Sequence, residues 1–130
     1  MQDDTRYDDL IGEIRASFLE SLRLAADAGI RQVVLDPGIG FGKTAEHNLE
    51  ILGRLDEFTD LGCPLMVGPS RKAFIGAVLG LSVGERLEGT IGAAVAAVMK
   101  GARILRVHDV LEVARAVRIA DAIVARETAR

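Results

Sequence analysis

Three short apolar runs constrain this chain more than anything else in it. They are Val33-Val34-Leu35, Leu65-Met66-Val67 and Ile104-Leu105. Each leads straight into polar or glycine-rich chemistry. The first continues into Asp36-Pro37-Gly38-Ile39-Gly40-Phe41-Gly42-Lys43, the second into Gly68-Pro69-Ser70-Arg71-Lys72, and the third into Arg106-Val107-His108-Asp109. Continuous apolar strands without polar alternation belong to parallel sheets covered on both faces. The runs start roughly 30 to 40 residues apart, the length of a strand–helix repeat. In parallel α/β proteins ligands bind at the C-terminal ends of the strands, which is where this chemistry falls.

Helical periodicity fills the intervals. Leu10, Ile14, Phe18, Leu22 and Ala25 recur at steps of three and four, with Asp3, Asp4 and Thr5 as candidate caps and Gly29 as the stop. Thr44 caps a second helix carrying Leu49, Leu52 and Leu55, extended by Phe58 and closed by Gly62. Ala73 to Leu81 reads as one or two helical turns. A third long helix runs from about Gly84 to Met99, with Ile91, Ala94, Val95 and Val98 facing inward and Gly101 ending it. A last strand covers Arg103 to Val107. Asp109 then caps a final helix with Glu112 three residues on, and Val113, Val117, Ala120 and Val124 form its buried face. The outline is α-(βα)3, read as a single domain over residues 1–130. A three-stranded parallel sheet leaves two unpaired edges, so the chain is expected to be part of a larger protein or to pair with other copies.

Composition narrows the function classes. With 49% hydrophobic and 27% charged residues the chain reads as globular. Its net charge of -3 offers no basic footprint for nucleic acid. No apolar run approaches the ~20 residues of a membrane span. Cys63 is the only cysteine, which reads as a small buried residue and suits a reducing, cytoplasmic setting. Zinc spacings, nucleophile triads and paired carboxylates are not found, which argues against hydrolase readings.

The first loop mimics two phosphate motifs and matches neither. A dinucleotide fingerprint beginning at Gly38 would need its third glycine where Lys43 stands. A P-loop ending in Gly42-Lys43-Thr44 would need a glycine where Pro37 stands. What is left is a strand ending in a carboxylate, then a turn whose glycines let the backbone approach a ligand. Asp36 can accept hydrogen bonds from a planar amino-heterocycle, or merely cap the turn. Phe41 either lines a ligand slot or plugs the barrel end. His47 and Asn48 read as capping or surface residues. Ser70, Arg71 and Lys72 join a hydroxyl to two adjacent cations, which suits an anion or carboxylate, or else is a solvated charge pair. Arg106 and His108, two apart on a strand, share a face and suit a phosphate: a forked cation plus a second N–H. Asp109 is explained by capping and is not read as catalytic. Arg86 and Thr90, one helical turn apart, are candidates to brace a loop.

Taken together, in this order and spacing, the three motifs resemble the sixth, seventh and eighth strand ends of dihydropteroate synthase, from about Tyr7 to about Ala125. The resemblance implies an α/β fold that is part of a TIM (β/α)8 barrel, its last three βα units preceded by one helix. It implies that Asp36 and Lys72 contact a pterin ring and are the catalytic pair, and that Phe41 and Lys72 border an aminobenzoate pocket with Arg71 near. Ser70 is counted with them as substrate-binding. Arg106 and His108 are expected to hold the departing pyrophosphate. Magnesium is expected nearby, its ligands outside this chain. The family condenses p-aminobenzoate with 6-hydroxymethyl-7,8-dihydropterin diphosphate in folate biosynthesis, and sulfonamides mimic the aminobenzoate.

The same resemblance implies that the family's first five strands lie outside this chain, and that Met1 is either an internal residue serving as a start or a cut end. The expectation is no synthase activity alone, and association as a homo-oligomer, such as a dimer, or with the N-terminal half of the barrel. The alternative reading is a non-catalytic half-barrel that binds anions or pterins or serves assembly. A related pterin-binding methyltransferase is disfavoured, because it has no diphosphate for Arg106 and His108 to hold.

Overall fold

A parallel ladder sets the architecture of the computed structural model, which describes residues 8–128. Strand β1 (Leu65–Val67) pairs in parallel with β2 (Ala102–Leu105), in the register Leu65 with Ala102, Met66 with Ile104 and Val67 with Leu105. Arg106 N donates to Val67 O at 3.0 Å, which carries the pairing one step past β2. On the other side of β1, Leu35 forms an isolated parallel bridge to Leu65, with Leu35 N bonded to Pro64 O (2.9 Å) and Met66 N to Leu35 O (2.8 Å).

The sequence predicts a full strand over Val33–Leu35, and here the structure differs. The reason lies in two prolines. In a parallel ladder the next bonding residue after Leu35 is residue 37, which is Pro37 and has no N–H. The bonding residue before it, Val33, would have to accept from residue 64, which is Pro64. The ladder is therefore cut to one rung at both ends. The last strand is also shifted, covering Ala102–Leu105 rather than Arg103 to Val107.

Helices flank this ladder. Helix α1 (Leu10–Asp27) buries Leu10, Ile11, Ile14 and Phe18. Its cap is Asp9, whose Oδ1 accepts from Gly12 N at 3.0 Å; Asp3, Asp4 and Thr5 lie outside the described residues. Helix α2 (Ala45–Gly53) begins at Thr44 as expected. Thr44 Oγ1 accepts from His47 N, and His47 Nδ1 accepts from Thr44 N. The helix stops at Gly53, and Leu55–Leu61 continues as a 3-10 helix. That tighter winding aligns residues three apart, and Leu55 and Phe58 are both fully buried on it. Gly62, in the left-handed region, ends it.

Helix α3 (Ala73–Leu79) follows β1. A 3-10 turn over Val83–Glu85 precedes helix α4 (Leu87–Met99). The residues that α4 buries are Thr90, Ala94 and Ala97, a face rotated from the expected Ile91, Ala94, Val95 and Val98. Helix α5 (Val110–Thr128) rests on α4, burying Val113 and Ala120.

One apolar cluster joins α1, α2, the 3-10 helix, α3, α4 and the strands. It lies against the sheet face carrying Leu35, Leu65 and Val67. The alternate positions point the other way, and there Val34 is 45% and Ile104 40% exposed, with Met66 half-buried between them. That face is where the chemistry continues. Two residues beyond Val34 is Asp36, two beyond Met66 is Gly68, and two beyond Ile104 is Arg106. No helix among the described residues is long and apolar enough to cross a membrane.

Candidate functional site at the strand ends

The glycine-rich loop is anchored before it is functional. Ile39 is buried in the core and fixes the loop from below. Asn48, buried on α2, accepts from Gly40 N through Oδ1 (2.8 Å) and donates through Nδ2 to Thr44 O (3.0 Å). From the sequence Asn48 reads as a capping or surface residue, whereas here it is buried. Its place three and four residues before the buried Ile51 and Leu52 was the signal that it faces inward. Asp36 Oδ1 accepts from Gly38 N at 2.8 Å, so half of the carboxylate does cap the turn. Its Oδ2 has no hydrogen-bond partner among the described residues and remains able to accept. Lys43 Nζ donates to Phe41 O at 2.9 Å.

Lys72 lies across this loop. Its Nζ donates to Ile39 O at 2.7 Å and stands 4.8 Å from the centre of the Phe41 ring. A Cβ on Gly40 (φ 91°) would sit 2.9 Å from Lys72 Cδ, so glycine is required there both for conformation and for the lysine stem to pass. Phe41 is 64% exposed among the described residues. A cavity of about 480 Å³ opens beside it, lined by Gly40, Phe41, Lys43, Asn48, Lys72 and Phe74 among others.

Burial pushes the Lys72 ammonium below the usual lysine range, the positive charge of Arg106 pushes it further, and Asp36 opposes both. Burial also lowers Lys43, again against Asp36. Replacing Arg106 by Ala removes a repulsion, so the Lys72 pKa is expected to rise. Lysine side-chain NMR titration of the two chains reads this directly. An unchanged or lower Lys72 pKa would show that the two cations do not share one field.

The Ser-Arg-Lys loop is held in a demanding backbone shape. Arg71 has φ 58°, the one non-glycine residue in the left-handed region among those described. Thr90 Oγ1 accepts from Arg71 N at 2.9 Å, and Arg86 Nη1 donates to Arg71 O at 3.0 Å. Arg86 and Thr90 thus brace this loop from the start of α4. The Arg71 side chain turns to Asp109, with Nη2–Oδ1 3.0 Å and Nε–Oδ2 3.3 Å. Capping therefore does not explain Asp109, as the sequence reading had it. Both its oxygens engage Arg71.

Beside this pair, Ser70 Oγ stands 2.7 Å from His108 Nδ1 and accepts from His108 N at 3.1 Å. Arg106 lies over Gly68: a Cβ there would be 3.0 Å from Nη2 and 3.3 Å from Nε. The absent side chain gives the guanidinium room, a role that sequence alone did not reveal. Among the predicted residues, the structure links Phe41 and Lys72 by contact, Ser70 and His108 by hydrogen bonds, and Lys72 to Arg106 and Asp36 by charge. Arg71 is drawn instead toward the start of α5.

Magnesium needs hard oxygen donors in an octahedral shell. Among the described residues no three His, Cys, Asp or Glu side chains are grouped to hold a metal ion. Asp109 is committed to Arg71, one Asp36 oxygen caps Gly38, and Lys72 and Arg106 bring positive charge to this end. These side chains do not fit a magnesium shell.

The sequence profile described as Pterin binding enzyme matches residues 1–108. A dihydropteroate synthase of Clostridium beijerinckii is 46% identical over 128 residues, covering 96% of this chain and 48% of that protein. The crystal structure of Yersinia pestis dihydropteroate synthase in a sulfonamide drug complex superposes with a TM-score of 0.93 at 39% identity, covering 96% of this chain and 46% of that one. Dihydropteroate synthase from Thermus thermophilus, solved in complex with 6HMPPP and with 4-aminobenzoate, gives 0.86 at 48% identity over 91% of this chain, and 47% and 49% of those chains. The chain spans about half the length of the curated relatives it matches.

Proposed function

The chain belongs to the pterin-binding enzyme family, and from that premise we propose that it supplies the sixth to eighth strand ends of a dihydropteroate synthase barrel. The substrates are p-aminobenzoate and 6-hydroxymethyl-7,8-dihydropterin diphosphate. In the reaction the aryl amine nitrogen bonds to the pterin methylene carbon and gives up a proton. The carbon–oxygen bond breaks, and pyrophosphate leaves with the electron pair. What supports this reading is the setting of Lys72: one ammonium touching a loop carbonyl and an aromatic ring, in the joint field of Arg106 and Asp36.

Each residue then has a physical task. Asp36 Oδ2 accepts N–H bonds from the pterin, and Lys72 donates to it. Phe41 and the stem of Lys72 wall the aminobenzoate pocket, which sulfonamides would share. Arg106 and His108 meet the negative charge that grows on the diphosphate, where preorganised donors contribute most. Magnesium would bind residues outside this chain. A second copy, or the other half of the barrel, would cover Val34, Met66 and Ile104. Such a protein is expected in the cytoplasm.

The test is reassembly. The full chain is co-expressed with the N-terminal half of the Clostridium beijerinckii relative, and dihydropteroate formation is followed. Turnover is expected from the complex and not from the chain alone. Arg106→Ala should then weaken pyrophosphate binding more than Arg106→Lys, because lysine keeps the charge but loses the fork. The loss is expected at roughly 1.5–3 kcal/mol. A stoichiometric complex without turnover would favour the second reading, a non-catalytic half-barrel binding module.

A further inference from the structure

The hydroxyl of Ser70 sits between two groups of the same histidine. It accepts the backbone N–H of His108 at 3.1 Å and stands 2.7 Å from Nδ1 of the His108 ring. Ser70 is only 7% exposed, so water does not readily serve its proton. A hydroxyl has one proton and two lone pairs. If Nδ1 carried a proton and donated to Oγ, both lone pairs would be used and the Ser70 proton would be buried with no acceptor, an arrangement native structures avoid. If Oγ donates to Nδ1, every group is satisfied. The short separation agrees, since 2.7 Å is usual for a hydroxyl donor and short for a ring N–H. Accepting from the backbone N–H also polarises the hydroxyl and makes it a better donor.

We propose that Ser70 is a positioning residue that fixes His108 as the Nε2–H tautomer. The consequence is a choice of ligand chemistry. His108 then presents a hydrogen-bond donor from Nε2, which has no partner among the described residues, and it selects acceptors such as phosphate oxygens. Without Ser70 the ring is free to flip or to exchange tautomers, and it presents a lone pair part of the time. The serine acts through His108 and not by touching substrate. The proposal rests on the reading that His108 meets an anion, but its first test does not.

That test is the long-range proton–nitrogen NMR correlation of the imidazole in the full chain. Wild-type His108 is expected as a single tautomer with Nδ1 unprotonated. Ser70→Ala is expected to populate both tautomers, and Ser70→Thr, which restores a hydroxyl, to return the single one. Titration with inorganic pyrophosphate follows. Affinity should fall about fivefold to tenfold in Ser70→Ala, in line with a weakened charge-assisted hydrogen bond, and recover in Ser70→Thr. An unchanged tautomer in Ser70→Ala, or an Nδ1–H tautomer in the wild type, overturns the proposal. If Ser70→Ala does not fold, the wild-type and Ser70→Thr tautomers still decide it. If the tautomers behave as stated while pyrophosphate leaves the His108 signals of every chain unmoved, Ser70 orients the ring and the anion reading fails instead.

Discussion

Lys72→Met is expected to lower kcat/KM of the reassembled barrel by about 10²–10³, the range for removing one preorganised polar donor from an active site. Methionine keeps most of the stem that passes Gly40 and removes only the ammonium. The loss would combine three contacts held by one group: the bond to Ile39 O, the position over Phe41, and the charge shared with Asp36 and Arg106. Steady-state kinetics with both substrates varied separates their contributions. A loss below about threefold would remove Lys72 from the site, since even a single neutral hydrogen bond is worth about that much.

Phe58→Ala is expected to destabilise the chain by about 3–5 kcal/mol, as large-to-small changes of buried aromatics do. Phe58 is fully buried and meets the edge of Phe18 with ring centres 5.2 Å apart and planes at 80°. It thereby ties α1 to the 3-10 helix ahead of β1. Domains hold only about 5–15 kcal/mol of stability in all, so a loss of this size is a large share of it. Urea denaturation of the full chain should show the midpoint collapsing. A shift worth less than about 1 kcal/mol would mean that the α1 contact is not part of the cooperative core.

Much of this arrangement was legible because strands and caps act locally. Period two along a strand separates Leu35, Leu65 and Val67 from Val34 and Met66, and Arg106 lies over Gly68 just past the ends of β2 and β1. Thr44 announced its helix through its own side chain. The elements that escaped are those decided by a partner distant in sequence. Leu55, Phe58 and Leu61 stand three apart, a 3-10 spacing, yet they also extend a plausible α-helical stripe, and only burial against α1 separates the two. The strand at Val33 was overestimated because its ladder fails at Pro64, on a neighbouring strand. Asp109 looked complete as a cap, and nothing local pointed to Arg71, thirty-eight residues earlier. Lys72 was picked out for its charge, but its bond to Ile39 O arises only where two loops meet.

The left-handed backbone at Arg71 has a consequence for how such a sequence can drift. A non-glycine residue there carries about 1–2 kcal/mol of strain. Its exposed pairing with Asp109 returns roughly 0–1 kcal/mol. Glycine would relax the backbone but forfeit the pair and lose more conformational freedom on folding, roughly 0.5–1 kcal/mol, so the two nearly balance. A β-branched residue is a genuine outlier at positive φ, with more strain than arginine and no pair to set against it. Folding stability is therefore almost indifferent between arginine and glycine at this one site while closing it to valine, isoleucine and threonine. The position is a narrow corridor in sequence space, and charge at the loop, more than the fold, decides which end of it is occupied.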